Sequence, residues 1–152
     1  MWIDAPGGAK NTLSQKWAES LKEDDKRFGE KLHFGKEKVV QTISMEDLIA
    51  QQEAPFFIKI DVEGYEINVL KGLKRPVPYL SFEVNLPEFR EEGLACIRRL
   101  GEVDPTGAFN YSSDCRNGLA SKQWLSLAGM ASALASCREP SIEIFWKTGR
   151  RS

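Results

Sequence analysis

FFIKIDVEGYEINVLKGL, residues 56–73, is the stretch that decides the fold. Five of its first seven residues are apolar, and we predict a strand buried on both faces in PFFIKIDV, residues 55–62. After Asp61 the spacing of apolar residues changes from that of a strand to that of a helix, which predicts an amphipathic helix over residues 64–73. The apolar stripe of this helix consists of Val62, Tyr65, Val69 and Leu73.

A second strand of the same composition follows in YLSFEV, residues 79–84. A strand, a helix of about ten residues and a second strand make a βαβ unit, whose two strands run parallel with a right-handed crossover. The fold class that we predict is therefore α/β.

The flanking sequence predicts further elements. A short helix is expected over residues 13–22, and a short strand around Val39, Val40 and Ile43. Ser44 begins a helix in which Met45, Leu48 and Ile49 face inward. Later segments predict a helix in PEFREEGLACIRRLG ended by Gly101, a strand in AFNYSS, a helix in SKQWLSLAGMASALAS and a last strand in SIEIFWKT.

Composition limits the function. The 152 residues are 41% hydrophobic and 28% charged with a net charge of −1, which indicates one domain and argues against nucleic acid as a partner. We divide that domain, residues 1–152, into a polar lead-in over 1–37 and an α/β core over 38–152. No apolar run spans a bilayer and the N-terminus does not read as a signal peptide, so we expect a cytoplasmic protein without membrane contact. The three cysteines are interpreted as reduced.

The acids of the βαβ unit fall at the carboxyl ends of its strands. Asp61 and Glu63 follow the first strand, and Glu83 and Asn85 close the second. Ligands of open parallel sheets bind at this edge, so we expect the four side chains to converge on one ligand. Like charges that lie close together raise one another's pKa, which makes a carboxylate a usable general base.

Two of these assignments have a structural alternative. Asp61 and Glu63 also suit the N-terminal capping of the following helix. Capping does not explain Glu83, because Phe82 and Val84 flank it within a strand that reads as buried. Lys59 lies two residues before Asp61 on the same face of the strand, where it forms either a salt bridge to Asp61 or a ligand contact.

Residues 42–85 resemble the core of the FkbM-family S-adenosylmethionine-dependent methyltransferases. The KIDVEG run, Glu66, the VLKG helix end and the strand-borne Glu83 agree with the family in order and spacing. The family's preferred residues are replaced by Ser44 and Met45. The flanking segments GGAKNTLSQKW and IEIFWK are also similar, so the resemblance spans most of the chain.

The resemblance implies a Rossmann-like class I methyltransferase fold, with FFIKIDV as its fourth strand and YLSFEV as its fifth. It implies methyl transfer from S-adenosylmethionine to a hydroxyl of a sugar, polysaccharide or secondary metabolite. Asp61 would lie beside the cofactor or the acceptor oxygen, while Glu63 and Glu83 would orient or deprotonate the acceptor. We assign Asn85 and Lys59 to acceptor binding and no residue to a metal.

The family's first strand and glycine-rich turn, which cradle the cofactor, are not recognisable in the residues before Pro55. We therefore expect this chain to be the carboxyl-terminal portion of such an enzyme, with an apolar sheet edge that pairs with a second copy or a partner chain. The alternative function is a non-catalytic half-domain that acts as a dimer or as one part of a split enzyme. A metal-dependent hydrolase that uses the same acids is a third hypothesis.

Overall fold

The computed structural model describes residues 1–5, 8, 10–23 and 32–149. The chain divides into two compact units. The first contains Met1–Thr42 and Val62–Tyr65, and the second contains Ile43–Asp61 and Glu66–Ser152. In the described ranges, no helix is both long and apolar enough to cross a membrane.

In its described residues, the first unit contains a small two-stranded sheet and one helix. Strand β1 (Trp2–Ile3) pairs antiparallel with β2 (Lys36–Glu37), and α1 spans Gln15–Glu23. The Ser14 hydroxyl accepts a hydrogen bond of 3.2 Å from the Trp17 amide, which satisfies a donor of the first helical turn. The helix predicted over residues 13–22 is thus confirmed, but it starts two residues later than predicted, at Gln15.

The strand predicted around Val39, Val40 and Ile43 is wrong. Residues 38–44 form no strand, and the Val39 side chain is 98% exposed. Two adjacent β-branched residues have high strand propensity, but that preference is realised only where a partner strand and a buried face are available.

The second unit is built on a four-stranded mixed sheet in the order β3-β4-β6-β5. Strands β3 and β4 are parallel, with Ile60 paired to Phe82, whereas β6 runs antiparallel to both β4 and β5. The predicted βαβ unit is confirmed, because α3 lies between the two parallel strands. The strands are β3 (Phe57–Ile60), β4 (Tyr79–Asn85), β5 (Ala108–Ser112) and β6 (Ser141–Lys147).

The helices of this unit differ from their predicted bounds for local reasons. Helix α3 starts at Glu66 instead of 64, because Glu63 and Gly64 have positive φ angles of 52° and 86° that belong to a turn. Helix α4 continues past Gly101, where the absence of a side chain lets Leu127 pack closely. The helices are α2 (Met45–Gln51), α3 (Glu66–Lys71), α4 (Arg90–Val103) and α5 (Leu127–Ser136).

Helix α5 starts six residues later than the apolar pattern suggests. Leu125 is occupied in a β-bridge, since its backbone exchanges hydrogen bonds of 2.6 and 2.8 Å with Phe109. Ser126 then caps the helix by accepting a bond from the Gly129 amide. In α2, Ser44 caps as predicted and Met45 and Ile49 are buried, but Leu48 is 48% exposed and the prediction of its inward orientation is wrong.

Strand β3 forms one end of the described sheet. Phe57 is 45% exposed and the preceding Phe56 is 71% exposed, while Ile60 is buried. The prediction that this strand is buried on both faces is therefore wrong for the face that carries Phe57 and Lys59, which are both exposed. A strand with a neighbour on one side only leaves its outer side chains and backbone groups accessible.

The hydrophobic core lies between the sheet and the helices α4 and α5. Gly93 of α4 sits against β4, where a Cβ atom would approach Val84 Cγ1 to 2.9 Å and Leu134 Cδ2 to 3.0 Å. Only a residue without a side chain permits this approach of helix to sheet. The largest fully buried side chains of this core are Phe82, Phe109, Trp146, Leu70, Leu80, Ile97, Leu100, Met130 and Leu134.

We expect Gly93→Ala to lower the free energy of unfolding by about 1–3 kcal/mol, because the added methyl group forces α4 away from β4. Gly129→Ala is the matched control, since its Cβ meets only ordinary contacts of 3.5 Å or more in α5. That control gains helix propensity and should raise the stability by up to about 1 kcal/mol. Urea titrations of both variants measure the difference, and equal stabilities would contradict the close packing of α4 on β4.

Candidate active site

Two of the predicted acids meet at the carboxyl ends of neighbouring strands. Asp61 follows β3 directly and Glu83 lies near the end of β4, and carboxylate oxygens of the two lie within 4.8 Å of each other. The cause is the parallel register, which pairs Ile60 with Phe82 and so brings the next residue of each strand to the same level. The catalytic roles assigned to these residues stay predictions.

A third carboxylate at this place is missed by the sequence analysis. Glu143 of β6 is paired in register with Glu83 of β4 and is only 8% exposed. Its position gives the same signal as Glu83, namely a charged residue between two buried apolar ones, Ile142 and Ile144. The pattern is visible in the sequence, but its link to Glu83 appears only once β6 is known to lie beside β4.

Lys59 connects the acids. Its Nζ atom lies 3.2 Å from Glu143 Oε2 and 3.5 Å from Asp61 Oδ2. The salt bridge to Asp61 that the sequence left open is thus present. Burial alone would lower the pKa of Lys59, but the hydrogen bond and charge of Glu143, together with Asp61, outweigh it and raise the pKa, so the ammonium is retained.

The environment of Glu83 favours its protonated form. Burial is the main cause that raises the pKa of this half-buried carboxyl group, and the charges of Asp61 and Glu143 add to it. A hydrogen bond with the Ser141 side chain and the charge of Lys59 act in the opposite direction without cancelling the rise. A carboxylate with a raised pKa accepts a proton more readily, which suits a general base.

Glu63 belongs to the first unit and has structural contacts there. Its carboxylate accepts a hydrogen bond of 2.9 Å from the Trp17 indole, and its carbonyl accepts one of 2.7 Å from the Thr12 hydroxyl. Trp17 is 1% exposed, so its N–H needs an acceptor within the protein. These bonds hold a residue with a positive φ angle, a conformation that costs non-glycine residues about 1 kcal/mol.

We expect Glu63→Ala to lower the free energy of unfolding by about 1–3 kcal/mol, because the buried Trp17 indole loses its acceptor. Glu63→Gln keeps a side-chain oxygen for the indole and should cost less than about 1 kcal/mol. Chemical denaturation measures both changes. In the Trp17→Phe background, Glu63→Ala and Glu63→Gln should lower the free energy of unfolding by similar amounts, because the indole donor is absent. A difference between them that persists in this background would show that the hydrogen bond is not its cause.

The turn between β1 and α1 is a second feature that the sequence analysis missed. The Asn11 side chain accepts a bond of 2.9 Å from the Asp4 amide and donates one of 2.9 Å to the Ala5 carbonyl, and Gly8 lies between them. The order of strand, glycine and helix was not recognised before Pro55, because β1 has only two residues. Asn11, whose amide side chain mimics a backbone turn, is the signal in the sequence that indicates a turn here.

Carboxylates gathered at the carboxyl ends of two parallel strands define the class: an α/β domain with an acidic edge to its sheet. The profile described as the methyltransferase FkbM domain matches residues 2–106, which is more than half of the chain. The chain belongs to the FkbM methyltransferase family, and methyl transfer is the activity that this membership indicates. The match includes β1, α1, β3, α3 and β4.

A comparison with curated proteins finds no match to this chain. The family match over residues 2–106 confirms, at the level of the family, the resemblance carried by residues 42–85.

Proposed function

We propose that this protein is an S-adenosylmethionine-dependent O-methyltransferase in which Glu83 takes the proton of the acceptor hydroxyl. The observation that carries the proposal is the position of Glu83, half-buried at the carboxyl end of β4 beside Asp61 and Glu143. Membership of the FkbM family supports methyl transfer as the reaction. The raised pKa of Glu83 supports its use as a base.

The proposed step needs alignment and one proton acceptor. The acceptor oxygen forms a bond to the methyl carbon, the bond between that carbon and sulfur breaks, and the hydroxyl proton goes to the Glu83 carboxylate. When bound, S-adenosylmethionine supplies the methyl group from a positively charged sulfonium. Asp61, which is 48% exposed, accepts a hydrogen bond from the acceptor or the cofactor.

The charge of the site suits such ligands. Asp61, Glu83 and Glu143 provide three carboxylates against the single ammonium of Lys59. Carboxylates accept hydrogen bonds from several hydroxyls and attract a cation, which supports a sugar, a polysaccharide or a hydroxylated secondary metabolite as the acceptor. Asn85, at the end of β4, and Lys59 are proposed to contact that acceptor.

Asp61 is the residue proposed to hold the cofactor, because it directly follows β3 at the carboxyl end of the strand. The three free cysteines support a reducing, cytoplasmic location, and the net charge of −1 supports partners other than nucleic acid.

We expect the protein to form S-adenosylhomocysteine when it is incubated with S-adenosylmethionine and a panel of sugars and polyols. Glu83→Gln should reduce the rate by about 100-fold to 10,000-fold, because the general base is lost. Chromatographic detection of the product measures both rates. Calorimetry should show that Glu83→Gln still binds S-adenosylmethionine.

Glu102→Gln is the matched control, since Glu102 is an exposed acid of α4 paired with Arg99, and its rate should equal that of the unmodified protein. An unchanged rate in Glu83→Gln would reject Glu83 as the base. Absence of S-adenosylhomocysteine with every acceptor, together with no heat of binding, would reject the proposed activity.

A second candidate function is a half-domain that assembles through the edge of β3. The exposed Phe56 and Phe57 favour it, because an accessible apolar strand at the end of a sheet invites pairing with another strand. The second copy of this chain is the partner that we propose, since it carries the same edge.

We expect the protein to sediment as a dimer at micromolar concentrations, and Phe57→Lys to sediment as a monomer because a charge on the edge blocks strand pairing. Val39→Lys introduces the same charge at a side chain that is 98% exposed and lies outside the strands, and should remain dimeric. A monomer at all concentrations for the unmodified protein would contradict assembly through this edge.

A further inference from the structure

Glu143 occupies a place that requires an explanation. It lies in β6, is 8% exposed, and is paired in register with Glu83, so two acids stand directly opposite each other on neighbouring strands. Like charges in such cross-strand pairs destabilise a sheet. An apolar residue at this position would avoid that cost. An ion pair between Glu143 and Lys59 explains the charge of Glu143, but it does not explain why Glu143 lies opposite Glu83.

We infer that Glu143 is a positioning residue with two effects on Glu83. It binds the Lys59 ammonium together with Asp61, and it places a second negative charge beside Glu83. Both effects keep Glu83 ready to accept a proton. The geometry is a chain of contacts: Lys59 Nζ is 3.5 Å from Asp61 and 3.2 Å from Glu143, and Glu143 is the register partner of Glu83. The inference rests on the proposed role of Glu83 as the base.

The ammonium group of Lys59 would weaken Glu83 as a base if Glu143 did not engage it. An ammonium near a catalytic carboxylate stabilises the charged form of that carboxylate and weakens it as a base. Glu143 and Asp61 together engage the ammonium and leave less of its charge for Glu83. Glu143 is nearly buried, so water competes less for its carboxylate than for the half-exposed carboxylate of Asp61.

Other groups near Glu83 enter the same balance. Ser141 of β6 forms a hydrogen bond that stabilises the charged carboxylate. Glu66 of α3 and Glu92 and Cys96 of α4 line a narrow crevice together with Glu83. Burial, followed by the charges of the two glutamates, raises the pKa of the Cys96 thiol, so that group stays neutral.

The test is a pH titration of the Glu83 carboxyl carbon by NMR, in full-length protein with ¹³C-labelled glutamate and with the signal assigned through Glu83→Gln. We expect Glu143→Gln to move the Glu83 midpoint to lower pH, because a neighbouring negative charge disappears and Lys59 becomes available. Ser141→Ala should move it to higher pH, because the bond that stabilises the charged form is lost. Glu102→Gln, far along α4, should leave it unchanged.

Glu143→Asp keeps the charge and should restore the midpoint of the unmodified protein, which a merely structural effect on folding would not do. If Glu143→Gln fails to fold, Glu143→Met provides the measurement: the Glu83 midpoint should again move to lower pH, and no shift would overturn the inference. An unchanged midpoint in folded Glu143→Gln overturns it as well.

The pH dependence of methyl transfer separates this inference from the proposed function. In Glu143→Gln the rise of activity with pH should occur at lower pH than in the unmodified protein, matching the NMR midpoint. An active enzyme whose Glu83 midpoint ignores Glu143 refutes only the role of Glu143. An inactive protein whose Glu83 midpoint shifts as expected supports the electrostatic role and refutes the methyltransferase proposal.

Discussion

The parallel pairing of β3 and β4 is the constraint on which the site depends. Four register pairs, ending at Ile60 and Phe82, fix the level at which the two strands stop. Asp61 and Glu83 are brought together by that register, because a shift of one residue would turn Glu83 to the other face of the sheet. The crossover through α3 makes the pairing parallel, and the antiparallel β6 then adds Glu143 to the same edge.

The sequence predicts those parts of the fold in which local pattern and tertiary packing agree. The βαβ unit follows from the apolar run and the helical stripe, and Ser44 begins α2 because its side chain caps the helix. The predictions fail where a long-range contact prevails over local preference. Leu125 is withdrawn from α5 by its bridge to Phe109, and Val39 has strand propensity without a partner.

The candidate site shows the same division. Asp61 and Glu83 were accessible to sequence reasoning, because they follow or interrupt apolar runs whose pairing is local. Glu143 was not, since it lies 60 positions after Glu83 and its partner is defined only by sheet order. The bond from the Trp17 indole to Glu63, across 46 positions, has no signal in the sequence and gives Glu63 a structural role whatever its part in catalysis.

Methyl transfer demands little of the protein beyond alignment and a place for one proton, so the charge distribution around the acceptor is informative about mechanism. An isolated buried acid would be costly, and an acid fully neutralised by lysine would be a weak base. The observed cluster lies between these extremes, because Lys59 is shared by Asp61 and Glu143 while Glu83 retains a raised pKa. Glu83 in such a site has a higher affinity for a proton than an ordinary carboxylate, which favours deprotonation of a hydroxyl during methyl transfer.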